Sequence, residues 1–498
     1  MKISERIRYV GVNDCGKQLF EGIWPLPFGI SYNSYLIVDQ KIALVDTIDK
    51  GFEEEYLRKI SKEIGNRTID YLIVNHAEPD HSSMISLLLN IYPGILVVAA
   101  PKATPILKGF YGLTEDDILT VRDGDRLSLG KVDLTFYHTP MVHWPETMMT
   151  WLASESTLFS GDAFGTFGAL NHGITDTTFK CGCPPGEHCH YSANGFHDGT
   201  ADAFSMYTDE MIRYYSNIVG KYGSAVQVAI KKLSHLKINR ICSTHGPIWE
   251  KQVSRVEALY ERLSRYEAEN GVCIAYGSMY GNTAEAARNL AQELSSIGIP
   301  VALHDLSTEN LSSALRDIFR YNTLALGSPT YNGGIFPAVE AFLHAISARM
   351  LKGRNFIAFG SYSWAPASVR LMNAYADTHG FNLLHPGISF PQAYSPEKCD
   401  MKSLAETIRL ALEKPHCPKA QNQLNLCFRP RFHLSKARNR LFWCFRPRFY
   451  LSKARNRVFL CFRNQKHKCA KCDRNNYLCP SKYKPNDYEQ DKDSDIGL

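Results

Sequence analysis

The stretch Tyr71–His81, YLIVNHAEPDH, constrains the fold of this chain more than any other. Its apolar run, Tyr71 to Val74, reads as a buried strand. The run ends in His76-x-Glu78-x-Asp80-His81, four metal-capable side chains within six residues. Pro79 lacks an N–H and stops the strand from continuing. Imidazoles and carboxylates packed this densely against an apolar strand are costly unless something pairs them. Strand ends in α/β folds aim side chains into a shared cleft, so the pattern predicts a metal site at the end of this strand.

Further ligands are expected at other strand ends. His143 lies in HTPMVHWPET after the strand-like VDLTFYH, Asp162 ends TLFSGD, and His245 ends RICSTH. With His76, Glu78 and Asp80 they make three imidazoles and three carboxylates, a set that suits two metal ions better than one. Asp162 is the simplest bridge between the two. Oxygen-rich ligation favours iron over zinc.

A second constellation begins at residue 271. The strand VCIAYG runs into Ser278-Met279-Tyr280-Gly281-Asn282-Thr283 and then into a helix. Hydroxyls and free N–H groups at a helix N-terminus suit a terminal phosphate. Ser328-Pro329-Thr330-Tyr331-Asn332-Gly333 and Ser361-Tyr362-Ser363-Trp364 end two further strands and place polar and aromatic groups where a planar ring would stack. The chain has no GxGxxG opening a helix here, which argues against a dinucleotide.

At 498 residues the chain has room for two to four domains. The +6 formal charge is modest for this length and does not imply nucleic acid. The N-terminus MKISERIRYVG carries no apolar secretory core, and no apolar run reaches the ~18 residues of a membrane span, so a cytoplasmic protein is expected. Of the 14 cysteines, Cys15, Cys242, Cys273 and Cys399 are scattered as reduced thiols would be. The others cluster. Cys181, Cys183 and Cys189, with His188, His190 and His197, fall in a long polar insertion at about 171–202 that could bind zinc or iron or simply form a lid. Cys469, Cys472 and Cys479 fall in a tail where LCFRPRFHLSKARNRLFW is followed by the near copy WCFRPRFYLSKARNRVFL. The repeat spaces Cys427, Cys444 and Cys461 by seventeen residues. It reads as local duplication in a poorly ordered tail. The charged stretch 251–270 reads as a helix linking two domains.

The spacing HxExDH, then His, Asp and His, resembles the metallo-β-lactamase fold, except that Glu78 stands where the hydrolases carry His. Glu at that position, followed by a flavodoxin-like segment, resembles the flavodiiron proteins (A-type flavoproteins) over residues 1–414. The resemblance implies an α/β chain: a metallo-β-lactamase-like αββα sandwich over 1–250, the linker helix, and a flavodoxin-like doubly wound parallel sheet over 271–414 that binds FMN. It implies two irons, one held by His76, Glu78 and His143, the other by Asp80 and His245, with Asp162 bridging. His81 and Trp144 are expected beside the ligands rather than among them. The implied reaction reduces O2 to water or NO to N2O, with electrons from a rubredoxin or a flavin reductase, in a head-to-tail homodimer or a dimer of dimers. The alternative is a zinc hydrolase of the metallo-β-lactamase type with the flavodoxin segment as a passenger.

Overall fold

The computed structural model of the chain describes residues 1–180 and 202–413. The cysteine and histidine cluster at 181–197 and the repeat-bearing tail from 415 onward lie outside the described residues.

Two sheets build the N-terminal half. The first has six strands in the order Ile7–Tyr9, Tyr35–Val38, Ile42–Val45, Tyr71–Val74, Leu96–Ala99 and Ile118–Thr120. From Ile42–Val45 onward its pairings are parallel, with Leu44 beside Leu72 and Leu72 beside Val97. The inner strands Ile42–Val45, Tyr71–Val74 and Leu96–Ala99 are short apolar runs, mostly buried, as a parallel sheet covered on both faces requires, while the edge strand Ile118–Thr120 ends exposed. The second sheet has five strands, Arg126–Ser128, Asp133–His138, Met148–Leu152, Thr157–Gly161 and Arg240–Ser243. Its last pair is parallel, and the register shifts between Phe159 and Gly161. Such an irregularity bends a strand and re-aims the next side chain, here Asp162.

The stretch expected to link the two halves packs on the first of them. Its helix, Val253–Ser264, buries Val256, Leu259, Tyr260 and Leu263 and packs on the helix Gly223–Leu233. Apolar residues at helical spacing on one face drive that docking, while the Glu and Arg residues that suggested a linker occupy the other. The first ten residues of the expected insertion are also tied down. The carboxylate of Asp176 accepts the backbone N–H groups of Glu250, Lys251 and Gln252 at 2.8–3.0 Å.

The C-terminal half is one parallel sheet in the order Val301–Asp305, Glu269–Tyr276, Tyr321–Gly327 and Asn355–Tyr362, which pairs in turn with Asn382–Leu383 and Ile388–Pro391. Counted within this half the order is 2-1-3-4-5, the flavodoxin-like arrangement. Its first strand starts at Glu269, two residues earlier than the sequence suggests. The two halves pack through helix Ala203–Tyr214 against helix Leu311–Arg320. Arg213 donates to Ser312 Oγ at 3.0 Å, Arg320 pairs with Asp209, and Arg349 donates to the carbonyls of Ser216 and Asn217 at 2.6 and 3.2 Å.

Candidate metal centre and flavin site

Four strand ends converge in the N-terminal half. After Tyr71–Val74 the chain passes His76 and Glu78 and turns into a one-turn helix, Pro79–Ser82, which carries Asp80 and His81. His143 lies between the strands Asp133–His138 and Met148–Leu152; Asp162 and His245 follow Thr157–Gly161 and Arg240–Ser243. Gly246 is fixed by crowding: at φ +79°, a Cβ there would meet Thr166 Cγ2 at 2.0 Å.

The seven side chains fall into two groups of converging ligand atoms, His76, Glu78, His143 and Asp162 in one and Asp80, His81 and His245 in the other. In the first, His143 Nε2 lies 3.1 Å from Glu78 Oε2 and 3.0 Å from Asp162 Oδ2, and His76 Nε2 lies 3.0 Å from Glu78 Oε2. In the second, Asp80 Oδ2 lies 3.2 Å from His81 Nε2 and 3.3 Å from His245 Nε2. Asp162 turns Oδ2 to the first group and Oδ1 to the second, with His81 Nε2 2.9 Å from Oδ1. One carboxylate thus faces both groups, which is the geometry of a bridge.

The electrostatics favour cations. Burial pushes the His81 imidazolium down, but Asp80 and Asp162 outweigh it and raise it to about 9. His143 is likewise lowered by burial and lifted by Asp162 and Glu78, to about 9. His76 ends well above its ordinary value, because Asp162, Glu146 and Glu78 overcome its burial. Conversely, burial raises Glu78 and Asp162, and the imidazoles more than reverse it, leaving both carboxyls below their usual range. Both oxygens of Asp80 and Nε2 of His245 are buried without a hydrogen-bond partner. Buried polar atoms are rarely left this way, and here they point at one another. Metal ions fit this donor set.

Residues behind the ligands fix their orientation. Glu146 Oε1 lies 2.9 Å from His76 Nδ1 and accepts the Ala77 N–H at 3.2 Å. His245 Nδ1 lies 2.7 Å from the Ser31 carbonyl, and Thr244 Oγ1 donates to Asp162 Oδ1 at 2.5 Å. Such partners set ring orientation and ligand basicity. Sequence reading missed all three. Glu146 follows His143 by only three residues in HWPET and was the most accessible signal. Trp144 lies where expected, edge-on to the His76 ring at 5.2 Å. His81 does not. It was expected beside the ligands, yet its ring is 4.6 Å from that of His245 and its Nε2 shares their space. The turn at Pro79 folds it back toward Asp162.

In the C-terminal half a cleft opens at the carboxyl ends of the strands Glu269–Tyr276, Tyr321–Gly327 and Asn355–Tyr362. It is lined by Ser278, Met279, Tyr280, Asn282, Thr283, Pro329, Thr330, Ser361, Tyr362 and Ser363, all expected, and by Gln392, which was not. Gln392 arrives from the loop after Ile388–Pro391 and donates to the Ser363 carbonyl at 3.1 Å. Gly281 precedes the helix Asn282–Ser296 at φ +86°, a conformation that favours glycine, while Ser278 Oγ accepts the N–H groups of Gly281 and Ala284. This is the strand–loop–helix arrangement that receives phosphate. The remaining expected residues stand outside the lining. Ser328 is fully buried and accepts the Phe336 N–H, bracing its loop from behind. Asn332 and Gly333, both at positive φ, form the turn closed by the reciprocal Tyr331–Gly334 hydrogen bonds. Trp364 projects into solvent.

Known proteins share both halves. Residues 30–246 match the ODP family beta lactamase and residues 274–401 match flavodoxin. A nitric oxide reductase from Moorella thermoacetica is 31% identical over 373 residues, covering 74% of this chain and 88% of that protein. The chain belongs to the flavodiiron family. An anaerobic nitric oxide reductase flavorubredoxin from Vibrio vulnificus is 28% identical over 410 residues, covering 81% of this chain and 78% of the relative. Among flavodiiron structures, the rubredoxin oxygen:oxidoreductase of Desulfovibrio gigas superposes with a TM-score of 0.73 at 28% identity, covering 83% of this chain and 98% of the other. The flavodiiron protein of Giardia intestinalis gives 0.72 at 26% identity, covering 83% and 97%.

Proposed function

We propose that this protein is a flavodiiron oxidoreductase that reduces O2 to water, NO to N2O, or both. The observation that carries the reading is the single buried carboxylate, Asp162, with one oxygen on each of two ligand groups, in a chain that also carries a flavodoxin-like cleft. When bound, the irons and FMN supply the electron transfer and the activation of the diatomic gas.

The chain's own residues do the rest. His76, Glu78 and His143 would hold one ion and Asp80, His81 and His245 the other, with Asp162 facing both groups. Glu146, Ser31 and Thr244 keep these ligands aimed. Phe20 lies edge-on to His245 at 5.3 Å, with Phe167 and Tyr214 behind it, an aromatic wall that excludes water from the second group. In the cleft, the N-terminus of helix Asn282–Ser296 would receive the FMN phosphate, and Tyr280 and Tyr362 would be available to the ring.

A rubredoxin or a flavin reductase supplies the electrons in this reading; rubredoxin appears in the names of two relatives. The metal ligands and the flavin cleft stand on different sheets of one chain, and a head-to-tail homodimer brings each flavin to a partner's metals. The exposure of Tyr280 (87%) and Trp364 (86%) beside the cleft supports a covering partner. No helix among the described residues is long and apolar enough to cross a membrane. The zinc-hydrolase alternative is set aside, because the relatives are reductases that share both halves.

The test is turnover of each gas, supplied separately to protein prepared without oxygen. Protein supplied with a reduced flavin donor should consume O2 or NO at rates that vanish on removing either metal or flavin. Hydrolysis of thioesters or β-lactams without reductant, and no gas consumption, would overturn the reading.

A further inference from the structure

His304 ends in a geometry that only a doubly protonated ring can satisfy. It is buried near the end of the edge strand Val301–Asp305. Its Nε2 lies 2.9 Å from Asp317 Oδ2 and its Nδ1 lies 3.2 Å from Glu309 Oε2. Ionised carboxylates only accept, and a neutral imidazole has one N–H, so both contacts together require imidazolium. The two carboxylates are unequally held. Asp317 is buried and takes two further bonds from Arg316, at 2.9 and 2.7 Å. Glu309 has a half-exposed side chain, and His304 holds it more strongly than its other support, the Asp305 backbone N–H.

Glu309 closes the loop that follows the strand. Its N–H and that of Thr308 donate to the Asp305 carbonyl, and Ser307 N–H donates to Asp305 Oδ1. From the middle of this loop, Ser307 Oγ accepts the N–H of Ser278 at 2.8 Å and faces its carbonyl at 3.3 Å. Ser278 is the first residue of the phosphate loop, and its hydroxyl receives the N–H groups of Gly281 and Ala284.

We infer that His304 is a positioning residue for FMN: as imidazolium it clamps the 305–309 loop through Glu309, and the loop holds Ser278 in the phosphate-binding conformation through Ser307. The inference rests on the flavin reading of the cleft. When the ring loses a proton, one contact must be given up. Asp317, buried and held by Arg316, is retained, and Glu309 is released to solvent. Other charges around the ring do not replace it. Arg316 and Arg320 sit behind Asp317 and engage Asp209 of the helix Ala203–Tyr214, next to the Glu210–Arg213 pair. The neighbouring strand contributes the Cys273 thiol and the Tyr276 phenol, both kept above their usual range chiefly by burial and therefore neutral; Tyr276 faces Asp305 and Glu309 and carries no charge that could stand in for the ring. Burial disfavours the charged ring, but Asp317 and Glu309 more than compensate, so it titrates above its ordinary 6.5. Flavin binding should therefore be strongest below that transition and weaken above it.

The experiment compares full-length wild type with Glu309→Gln between pH 6.5 and 9, because an amide at 309 can pair with either form of the ring. FMN affinity of the deflavinated protein is read by quenching of flavin fluorescence. Hydrogen exchange of the 305–309 segment, corrected for intrinsic rates, is read on the same samples and needs no flavin. The inference predicts that wild-type FMN affinity falls threefold or more across the range while segment 305–309 loses protection, and that Glu309→Gln is flat in both. A wild-type profile equally flat, or one unchanged by Glu309→Gln, would overturn it. If FMN binds at no pH while the exchange profile behaves as predicted, the flavin reading fails and the histidine clamp stands as a property of the loop alone.

Discussion

Glu146 offers a quantitative test of how the first metal group is held. Replacing it by Ala removes the acceptor 2.9 Å from His76 Nδ1 and also the partner of the Ala77 N–H. Both donors are buried, so no water replaces the lost oxygen without opening the site. Carboxylates of this kind behind a metal-bound histidine are worth about 10–100-fold in metal affinity. At about 1.4 kcal/mol per factor of ten, that is about 1.4–2.8 kcal/mol. The loss should fall on one ion only, because Glu146 touches neither Asp80, His81 nor His245. Anaerobic iron titration against a competing chelator should resolve one weakened and one unchanged iron per chain in Glu146→Ala, with the flavin spectrum intact. Glu146→Gln, which keeps an acceptor oxygen, should lose less. Wild-type affinity at both sites would refute the claim that Glu146 orients His76, and equal weakening of both would show that the groups are not separable.

Asp162→Ala should abolish tight binding at both metal positions and gas reduction with them, while flavin content stays at the wild-type level; turnover retained in that variant rules out the bridging role. Gly281→Ala places a side chain at φ +86°, where open space around its Cβ leaves backbone strain of about 1–2 kcal/mol as the whole cost, so FMN affinity should fall about tenfold in a flavin titration. The chelator-stripped protein should be less stable at both ends of the pH range. His81 and His143 are raised from 6.5 to about 9, so their contribution is full below about 6.5 and is lost as pH rises through about 9. Glu78 and Asp162 are depressed, so theirs is present above about 4.5 and is lost on acidification. Urea denaturation from pH 4 to 10 should trace this dome, and iron loading, which replaces the protons on the imidazoles, should remove its alkaline limb.

The parts of this structure legible in the sequence are those where local pattern and global fold agree. The run YLIV ending in a polar cluster identified the central strand, because a parallel strand buried on both faces has no polar alternation to confuse with surface. The six strand-end residues come together because strands of both sheets end at one edge of the first half, Tyr71–Val74 in one sheet and Thr157–Gly161 and Arg240–Ser243 in the other. What escaped depends on backbone turns that side-chain types do not report. His81 joins the second ligand group because the chain reverses at Pro79. Gln392 enters the flavin cleft only because the fifth strand position places its loop beside Ser363. Asn332 and Gly333 form a tight turn beside the cleft, which the dipeptide Asn-Gly already signals. The charged helix 253–264 read as a linker because its exposed face dominates its composition, while its buried face holds it in the core.

The account's central claim is that one chain holds two irons and one flavin. It is tested most directly by metal and flavin analysis of a single anaerobically purified sample. The account predicts about two irons and one FMN per chain, the content a two-metal site and one phosphate cleft imply. Zinc in place of iron, or a single metal with no flavin, would contradict it.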